Sequence, residues 1–447
     1  MSSEIAAESA PLADSALAEH ERLVERDLRR NVTGIVGWEF TWGLGMPFAM
    51  FATFCPAYLG ELNAPKIIIG LVLAFPTIFT TLQLLPGYFL PPQKRMRRYR
   101  AAVVLGVVPY FLYGVCAAFW GAAWPVSLHV ALFFLAMLLF LGVLNGAVGI
   151  YWEVMTDNIP PRQRGWLFGL RNAGFGSAGL ASGLVALWVL RHWPKPLNFR
   201  ISFIIGTSLY LASCAFLWLV RDHVNPLHNR PLRAEEGPLF GYVAGAMRRV
   251  WSDANYRSFI FFYALLASAA AGAPFMVDAA REELGATATG QGTFSLVFMG
   301  AAAAFGWMIG GVADRHGYRL VGCLCSVLLM LAFLLCLIAP YMLFWYVAYG
   351  CYTLAATSLG MLLCNMSAEI HPDIPPGRLI GVGNLLVVGF VLIANLLSGA
   401  VAGWAGSYRP VFIANLVFSI LALLGFLLIV REPRGEHPKN VKISPHT

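Results

Sequence analysis

The sequence predicts an all-α membrane protein of twelve transmembrane helices in two pseudo-symmetric six-helix bundles. The first observation is composition: 58% of the 447 residues are hydrophobic and 12% are charged, whereas soluble domains carry about 25% charged residues. The second is a series of twelve apolar runs, each long enough to cross roughly 30 Å of hydrocarbon. The third is an internal duplication, which predicts two copies of a six-helix unit.

The apolar runs are numbered here as spans one to twelve. They lie near residues 33–59, 67–90, 101–122, 127–152, 165–190, 200–220, 257–279, 290–313, 319–339, 342–368, 379–404 and 410–430. The long connection after span six, rich in proline and then amphipathic, divides the chain. We therefore expect an N-terminal segment, two bundles joined by a linker, and a tail, with bounds 1–30, 31–220, 221–255, 256–430 and 431–447.

The duplication is carried by two segments with the same order of features. Residues 153–172 read EVMTDNIPPRQRGWLFGLRN and residues 369–384 read EIHPDIPPGRLIGVGN. Each has a Glu and an Asp four residues apart, a Pro-Pro turn, an Arg, a Gly and a final Asn. A second echo, VRDHVNP from Val220 and VREPRG from Val430, closes each half. Parallel repeats in a membrane chain predict a binding site between the copies.

Basic residues predict the orientation. Lys and Arg concentrate in alternate loops, with the densest cluster KRMRRYR at 94–100, and such loops stay cytoplasmic. Both termini are then cytoplasmic, and we expect an integral protein of the cell (inner) membrane with a charged juxtamembrane helix at 16–30. The charge of +8 is spread over short loops, so it indicates topology rather than nucleic-acid binding. All eight cysteines lie in apolar runs without metal-ligand spacing, so neither a metal nor another cofactor is expected.

The segment GGVADRHGYR at 310–319, between spans eight and nine, fits the pattern G-x-hydrophobic-A-D-R-x-G-x-R. It resembles the cytoplasmic loop signature of the major facilitator superfamily, and with the duplication and the twelve spans the resemblance covers residues 31–431. The resemblance implies a secondary transporter that works by alternating access. It also implies a charge network that closes the cytoplasmic side in one conformation; the alternative is a loop that serves topology alone.

The gate residues can be given expected partners. Gly310 and Gly317 permit a tight turn and close backbone approach. Asp314 is expected at the positive end of a neighbouring helix, namely span eleven near Gly377, and Arg315 is expected to pair with Glu369 or Asp373. Arg319 and Arg378 complete the predicted second-half network. The first-half loop, residues 86–98, has no Asp beside its arginines, so it lacks the carboxylate that would cap a helix on that side.

Spans four and five offer a compensating network. Glu153 and Asp157 share one helix face, and Arg164 and Arg171 share another. Because Arg171 lies about 9 Å inside its span at 1.5 Å per residue, an unpaired charge there would be costly. We expect it to pair with Glu153.

Glu39 is the one carboxylate well inside an apolar span, and a charge there costs roughly 2.5–3.5 kcal/mol on insertion scales. Such residues face a wet cavity or a charged partner. Glu39 is therefore a candidate for proton coupling or solute binding. The alternatives are a structural partner for Arg171 and a side chain that reaches the cytoplasmic interface.

The resemblance implies that spans one, four, seven and ten line a central cavity. Their polar and aromatic candidates, with one each from spans two and eleven, are Trp38, Trp42, Gln83, Asn145, Trp152, Tyr263, Ser268, Tyr349, Thr353, Asn365 and Asn395. Rings with a few amides suit a sugar-like, aromatic or amphipathic solute. Such residues also favour membrane interfaces or bond between helices.

These patterns predict a monomeric carrier of a small organic solute, with proton-coupled symport as the first interpretation. Proton-coupled efflux of an organic compound or drug is the second, although the glycine-rich stretch at 174–183 lacks the Gly-Pro of antiporters. A non-transporting receptor of the same fold remains open. An enzyme is disfavoured because the only acidic clusters recur symmetrically, and no nucleotide-binding loop is present.

Overall fold

A computed structural model describes residues 2–49, 54–64, 68, 75–76, 78–91, 93–226, 238–285, 288–372 and 374–435. Within these residues the chain is helical and contains no strand. Ten helical segments are long and apolar enough to cross a membrane, and they correspond to predicted spans three to twelve. The all-α prediction is confirmed.

The first half begins with a single helix that runs through the predicted juxtamembrane segment into span one without a break. Its helices are Ser2–Ala49, Phe54–Glu61, a 3-10 turn Thr80–Leu84 continuing as Leu85–Phe89, Arg95–Trp120, Val126–Asn158, Arg164–His192 and Leu197–Leu217. At about 1.5 Å per residue, the first helix is far longer than a bilayer crossing, so its N-terminal part projects beyond the membrane. Much of span two lies outside the described residues.

The second half is preceded by the predicted amphipathic linker helix, Leu239–Ser252. Span seven is interrupted at Ala271–Gly272 and consists of Ala254–Ala270 and Ala273–Leu284. The remaining spans are Ala288–His316, Tyr318–Ile338, Met342–Ile370, Pro376–Ala405 and Arg409–Leu428. Span eleven starts on a proline, which lacks the N–H that a first helical turn leaves unsatisfied.

Helix packing follows the duplication. Within each half, the first span packs on the last, and the third packs on both the fourth and the sixth. Between the halves, span five packs along span eight, and span two packs along span eleven. These two contacts are the same pair of helices with the halves exchanged, as expected of a parallel repeat.

Two asparagine clamps repeat the same bonds in each half. Asn31 donates to the carbonyl of Arg221 at 3.1 Å and accepts from its N–H at 2.7 Å. Asn255 donates to the carbonyl of Arg431 at 3.1 Å and accepts from its N–H at 2.8 Å. Each clamp ties the start of a half's first span to the end of its sixth, next to the echoed Val-Arg sequences. The echo thus has a structural basis.

Candidate functional site

Glu39 and Arg171 form an ion pair inside the first half. The Arg171 Nε atom donates to Glu39 Oε1 at 2.7 Å, and the Tyr151 hydroxyl donates to the same oxygen at 3.2 Å. Both charged side chains are about nine-tenths buried. The expected Arg171–Glu153 pair is wrong, and Glu39, the alternative partner, takes its place. Arg171 lies about 10 Å deeper along span five than Arg164, at 1.5 Å per residue, where it contacts span four through aromatic rings rather than through Glu153.

Aromatic rings surround this ion pair. The Arg171 guanidinium carbon lies 5.0 Å from the Phe168 ring centre and 5.4 Å from that of Trp152. The ring centre of Trp38 lies 4.9 Å from that of Tyr151, the tyrosine that donates to Glu39. These rings exclude water from the pair and offer the cation a second favourable environment through their π faces.

Trp42 lies further from the Glu39–Arg171 ion pair than these rings do. It stacks at 4.0 Å on Tyr210 of span six, so it fills the seam between spans one and six. Of the three predicted tryptophans in spans one and four, Trp38 and Trp152 therefore contact the ion-pair surroundings directly, whereas Trp42 packs one turn further along.

Two equivalent asparagines bond across the halves. Asn384 of span eleven donates to Gln83 Oε1 of span two at 2.9 Å. Asn172 of span five donates to the carbonyl of Thr357 in span ten at 3.4 Å. These asparagines end the duplicated segments, so the repeat marks two residues that bond between the halves, although one partner is a side chain of span two and the other a carbonyl of span ten. Gln83, predicted to line the cavity, is one of the partners.

The other predicted cavity residues bond mostly within their own half. Asn145 donates to the carbonyl of Leu141, Tyr263 to that of Leu359, and Thr353 to that of Tyr349. The Tyr349 ring lies edge-on to Phe294 at 5.0 Å, Ser268 is buried and Asn395 is half-buried.

Asn365 differs from the rest. Its side chain is 1% exposed, and neither its amide oxygen nor its amide nitrogen has a hydrogen-bond partner among the described residues. A buried amide in this condition normally has a water or ligand to bond. Cys364, the preceding residue, contacts the Thr156 hydroxyl of span four across the halves at 3.7 Å.

Asp314 closes the predicted cytoplasmic face by capping span five. Its carboxylate accepts from the backbone N–H of Gly165 at 2.8 Å and from that of Trp166. Span five, rather than the expected span eleven, receives this cap because span eight packs along span five. The helix dipole and the free N–H groups both favour an anion there.

The predicted glycines permit this approach. A Cβ atom added at Gly310 would lie 2.0 Å from the carbonyl oxygen of Gly165, so no other residue fits. Gly317 has a φ of +88°, and a Cβ there would lie 2.3 Å from the Glu432 carboxylate. Arg319 donates from its backbone N–H to Glu432 at 2.9 Å and from Nε to the Phe426 carbonyl at 2.7 Å. Arg319 thus ties span nine to span twelve inside the second half.

Arg434 supplies the cation that was expected from Arg315. Its Nη2 atom lies 2.7 Å from Glu369 Oε1, and its Nη1 atom donates to the carbonyls of Ala313 and Asp314. Arg315 is exposed and lines the same cavity as Glu369, but it forms no ion pair among the described residues. Asp373 lies outside the described residues. Arg434 was not predicted as a gate residue, although it lies in the echoed segment VREPRG just beyond span twelve.

In the first half the acidic pair faces Arg95 instead of span five. Arg95 Nη1 lies 2.7 Å from Asp157 and 3.8 Å from Glu153, and Nη2 lies 2.7 Å from Asp222. The expected stripe across spans four and five is wrong. Arg164 folds back onto the carbonyls of Thr156 and Ile159 at 2.6 and 3.2 Å, because the connection between the two spans is short and leaves carbonyls unpaired at the end of span four.

A carboxylate also reaches the start of span eleven. A Cβ atom added at Gly377 would lie 2.5 Å from Glu153 Oε1, so only glycine lets the start of span eleven approach this carboxylate so closely. Arg378, predicted for the gate, lies 4.6 Å over the Tyr242 ring of the linker helix.

A cavity of about 710 Å³ opens at the same face between the halves. Asp157, Arg164, Asp314, Glu369 and Arg434 line it. The Asp314 cap on span five and the Arg434–Glu369 ion pair lie at this cavity. Charged bonds and close-packed glycines therefore hold the halves together at one face of the molecule.

Two matched helical bundles, a buried ion pair and a charged closure at one face define a polytopic membrane carrier. The family model described as Major Facilitator Superfamily matches residues 40–368 and 267–446. The chain belongs to this superfamily. It is an integral multi-pass membrane protein and a secondary transporter.

Solved structures share the fold at low sequence identity. The proton:xylose symporter XylE is 15% identical with a TM-score of 0.64, covering 90% of this chain and 96% of its own. The transporter FucP, in an outward conformation, is 14% identical with a TM-score of 0.64, covering 89% and 97%. The human organic anion transporter TETRAN is 15% identical with a TM-score of 0.60, covering 89% and 98%. No curated protein sequence matches the chain.

Proposed function

We propose that the protein is a proton-coupled symporter that moves a small organic solute by alternating access, with Glu39 as the proton-carrying group. The observation that carries the proposal is the buried Glu39–Arg171 pair, which Tyr151 joins through its hydroxyl. A carboxylate inside the membrane that faces one cation can exist in two states. It is either ionised and paired or protonated and released.

The chemistry of the two states differs at one atom. A proton added to a Glu39 carboxylate oxygen removes the negative charge, and with it most of the attraction to Arg171. The guanidinium then remains stabilised by the faces of Phe168, Trp152 and Tyr151, which lowers the cost of breaking the pair. Spans one and five can therefore separate or close according to protonation, and both belong to the half that moves against spans eight and eleven.

The solute site is proposed between the halves, near Asn365. Its unbonded amide offers one donor group and one acceptor, which suits hydroxyl, carbonyl or amide groups of a solute. The predicted aromatic and amide residues of spans one, four, seven and ten complete a site for a sugar-like or amphipathic organic compound. XylE is a proton:xylose symporter and FucP is a fucose:proton symporter, so the same fold carries sugars in these two proteins.

For the orientation of the protein in the membrane and for its oligomeric state, the proposal keeps the predictions made from the sequence. We place both chain ends in the cytoplasm of a cell with the protein in its inner membrane, and we expect a monomer. The closure at Asp314 and Arg434 is then the cytoplasmic gate in its closed form, with the outer side available to solute.

The test is solute flux in proteoliposomes. A thermal-shift screen of sugars, organic acids and amphipathic metabolites identifies a ligand, and its labelled form is then followed with and without an imposed proton gradient. Uptake that rises with an inward proton gradient supports symport. Loss of internal solute driven by that gradient indicates efflux, and binding without flux in either direction indicates a receptor.

A further inference from the structure

A groove between spans three and six lies on the outer surface of the first half, away from the transport pathway. Its volume is about 790 Å³, within the range of small-molecule pockets, about 300–1,000 Å³. One side of it is a face of span three and the other is a face of span six. The lining residues are Arg97, Arg100, Ala101, Val104, Leu105, Cys214 and Trp218.

The groove is charged at one end and apolar along its length. Arg97 and Arg100 lie at the predicted cytoplasmic end, and Val104 and Leu105 lie below them on the same helix face. Leu105 is 65% exposed and Trp218 70% exposed, so the walls face lipid rather than protein. From Arg97 to Leu105 the groove runs about 12 Å into the membrane at 1.5 Å per residue.

The two arginines are available to a ligand. The Arg100 guanidinium carbon lies 4.1 Å over the Trp218 ring, and its Nε donates to the Met96 carbonyl, which fixes the side chain across the groove. Among the described residues, neither Arg97 nor Arg100 forms an ion pair with a carboxylate. Their neighbour Arg95, by contrast, is fully engaged with Asp157 and Asp222.

We propose that this groove binds one anionic phospholipid from the leaflet at the predicted cytoplasmic face. The phosphate would lie between Arg97 and Arg100, where guanidinium groups favour bidentate phosphate contacts, and an acyl chain would lie along Val104 and Leu105. Charge complementarity favours this occupant, because cytoplasmic leaflets carry anionic lipid and basic pockets between spans bind their head groups. Trp218 suits the level of the head groups.

A lipid in this groove would contact both span three and span six. Spans three and six pack together within the first half, and Arg100 bridges them through Trp218. Cys214 and Trp218 are one helical turn apart on span six, so a lipid that contacts both spans stabilises the half as a rigid body. Bound lipid is therefore expected to raise the thermal stability of the folded protein.

The experiment uses the purified full chain with phosphatidylglycerol and phosphatidylcholine as probes. Native mass spectrometry counts retained lipid, and a thermal-unfolding assay measures stabilisation at increasing lipid concentration. We expect one tightly retained phosphatidylglycerol and a concentration-dependent rise in the unfolding temperature, with little effect of phosphatidylcholine. Equal retention of the two lipids would overturn the proposal.

Two variants separate the groove from general surface charge. Arg97→Gln with Arg100→Gln is expected to weaken phosphatidylglycerol binding about 30-fold, because each arginine near the surface contributes on the order of 1 kcal/mol. The matched control removes two exposed arginines from the same side, Arg22→Gln with Arg29→Gln, and is expected to bind as wild type. An equal loss in the control would show nonspecific attraction and overturn the proposal.

A third variant keeps both charges and fills the space. Ala101→Trp places a large ring between the arginines and Val104, and we expect it to reduce phosphatidylglycerol binding while leaving the unfolding temperature without lipid near that of the wild type. Wild-type lipid binding by this variant would show that the groove does not hold the acyl chain.

Discussion

Asp314 of span eight accepts a 2.8 Å hydrogen bond from the backbone N–H of Gly165, the second residue of span five. This bond joins the two halves of the molecule at one face. Because it uses a carboxylate on one half and a helix terminus on the other, it breaks whenever those halves separate. Arg434 donates to the backbone carbonyls of Ala313 and of Asp314 itself, and these bonds hold the end of span eight in place.

The first prediction concerns this cap. Asp314→Asn removes the anion–dipole attraction and one of the two acceptor oxygens, which costs about 1 kcal/mol and corresponds to a roughly fivefold shift toward the open gate. Cys364, buried beside Thr156 between the halves, reports the opening. In a variant that retains Cys364 as its single cysteine, maleimide labelling should be about five times faster than with Asp314 present.

His316→Asn is the control for this measurement, because His316 is exposed on the same turn. It should label at the unchanged rate. Unaltered labelling in Asp314→Asn would show that the cap does not hold the gate closed.

The second prediction tests the duplicated clamps. Asn31→Ala and Asn255→Ala each remove a donor and an acceptor that bond to the end of a sixth span. Each should lower the free energy of unfolding by about 1–3 kcal/mol, measured by denaturant titration in mixed micelles. A loss at only one of the two sites would contradict their equivalence.

The third prediction concerns pH and the N-terminal part of the first helix. The His20 ring donates from Nε2 to the Asp157 carbonyl at 3.0 Å, and burial lowers its pKa below the ordinary value of 6.5. Asp157 opposes that shift, whereas His223 and Arg95 add to it. Because the docked state binds a proton less readily than the free state, docking is favoured at high pH and weakens as pH falls below 6.5.

Hydrogen exchange of residues 15–30 between pH 7.5 and 5.5 checks this prediction, after correction for intrinsic exchange rates. Protection should fall with pH in the wild type and in His316→Asn, where the exposed histidine is removed. His20→Gln, which keeps a donor but cannot titrate, should lose the step. A step that persists in His20→Gln would assign it to another group.

The fourth prediction separates a binding role from a structural one at Asn365. Asn365→Leu keeps the number and branching of the side-chain heavy atoms and removes a buried amide that has no bond among the described residues. Stability should therefore stay equal or rise, while the KM for the transported solute rises. A fall in the unfolding temperature with unchanged KM would place Asn365 in the fold rather than in the solute site.

Much of the architecture could be predicted from the sequence, because length and apolarity define a membrane span. The repeat at 153–172 and 369–384 indicated which regions correspond. The structure confirms the all-helical organisation of the described residues, and the family model confirms the superfamily. Helix partners were harder to predict. Asp314 was assigned to the wrong helix, and Arg171 was paired with Glu153 while Glu39 was named only as an alternative, since spacing along one helix does not reveal which other helix lies beside it.

The missed residues share a feature. Arg434 and Arg95 lie at the ends of spans, in segments where basic residues already serve as a topology signal, so their roles in the charge network are hidden among other arginines. Asn384 and Asn172 could have been found, because they end both copies of the repeat. Matched polar residues in a duplicated membrane chain are thus candidates for contacts between the halves.

The central claim is that Glu39 carries the coupled proton. Glu39→Gln cannot ionise, yet it retains a side chain of similar size beside Arg171 and Tyr151. In proteoliposomes it should still exchange labelled solute between the two sides at equal concentrations, but it should lose accumulation driven by a proton gradient. Glu61→Gln, which removes a carboxylate paired with Lys195 at the surface, should accumulate solute as the wild type does. Wild-type accumulation by Glu39→Gln would contradict the account.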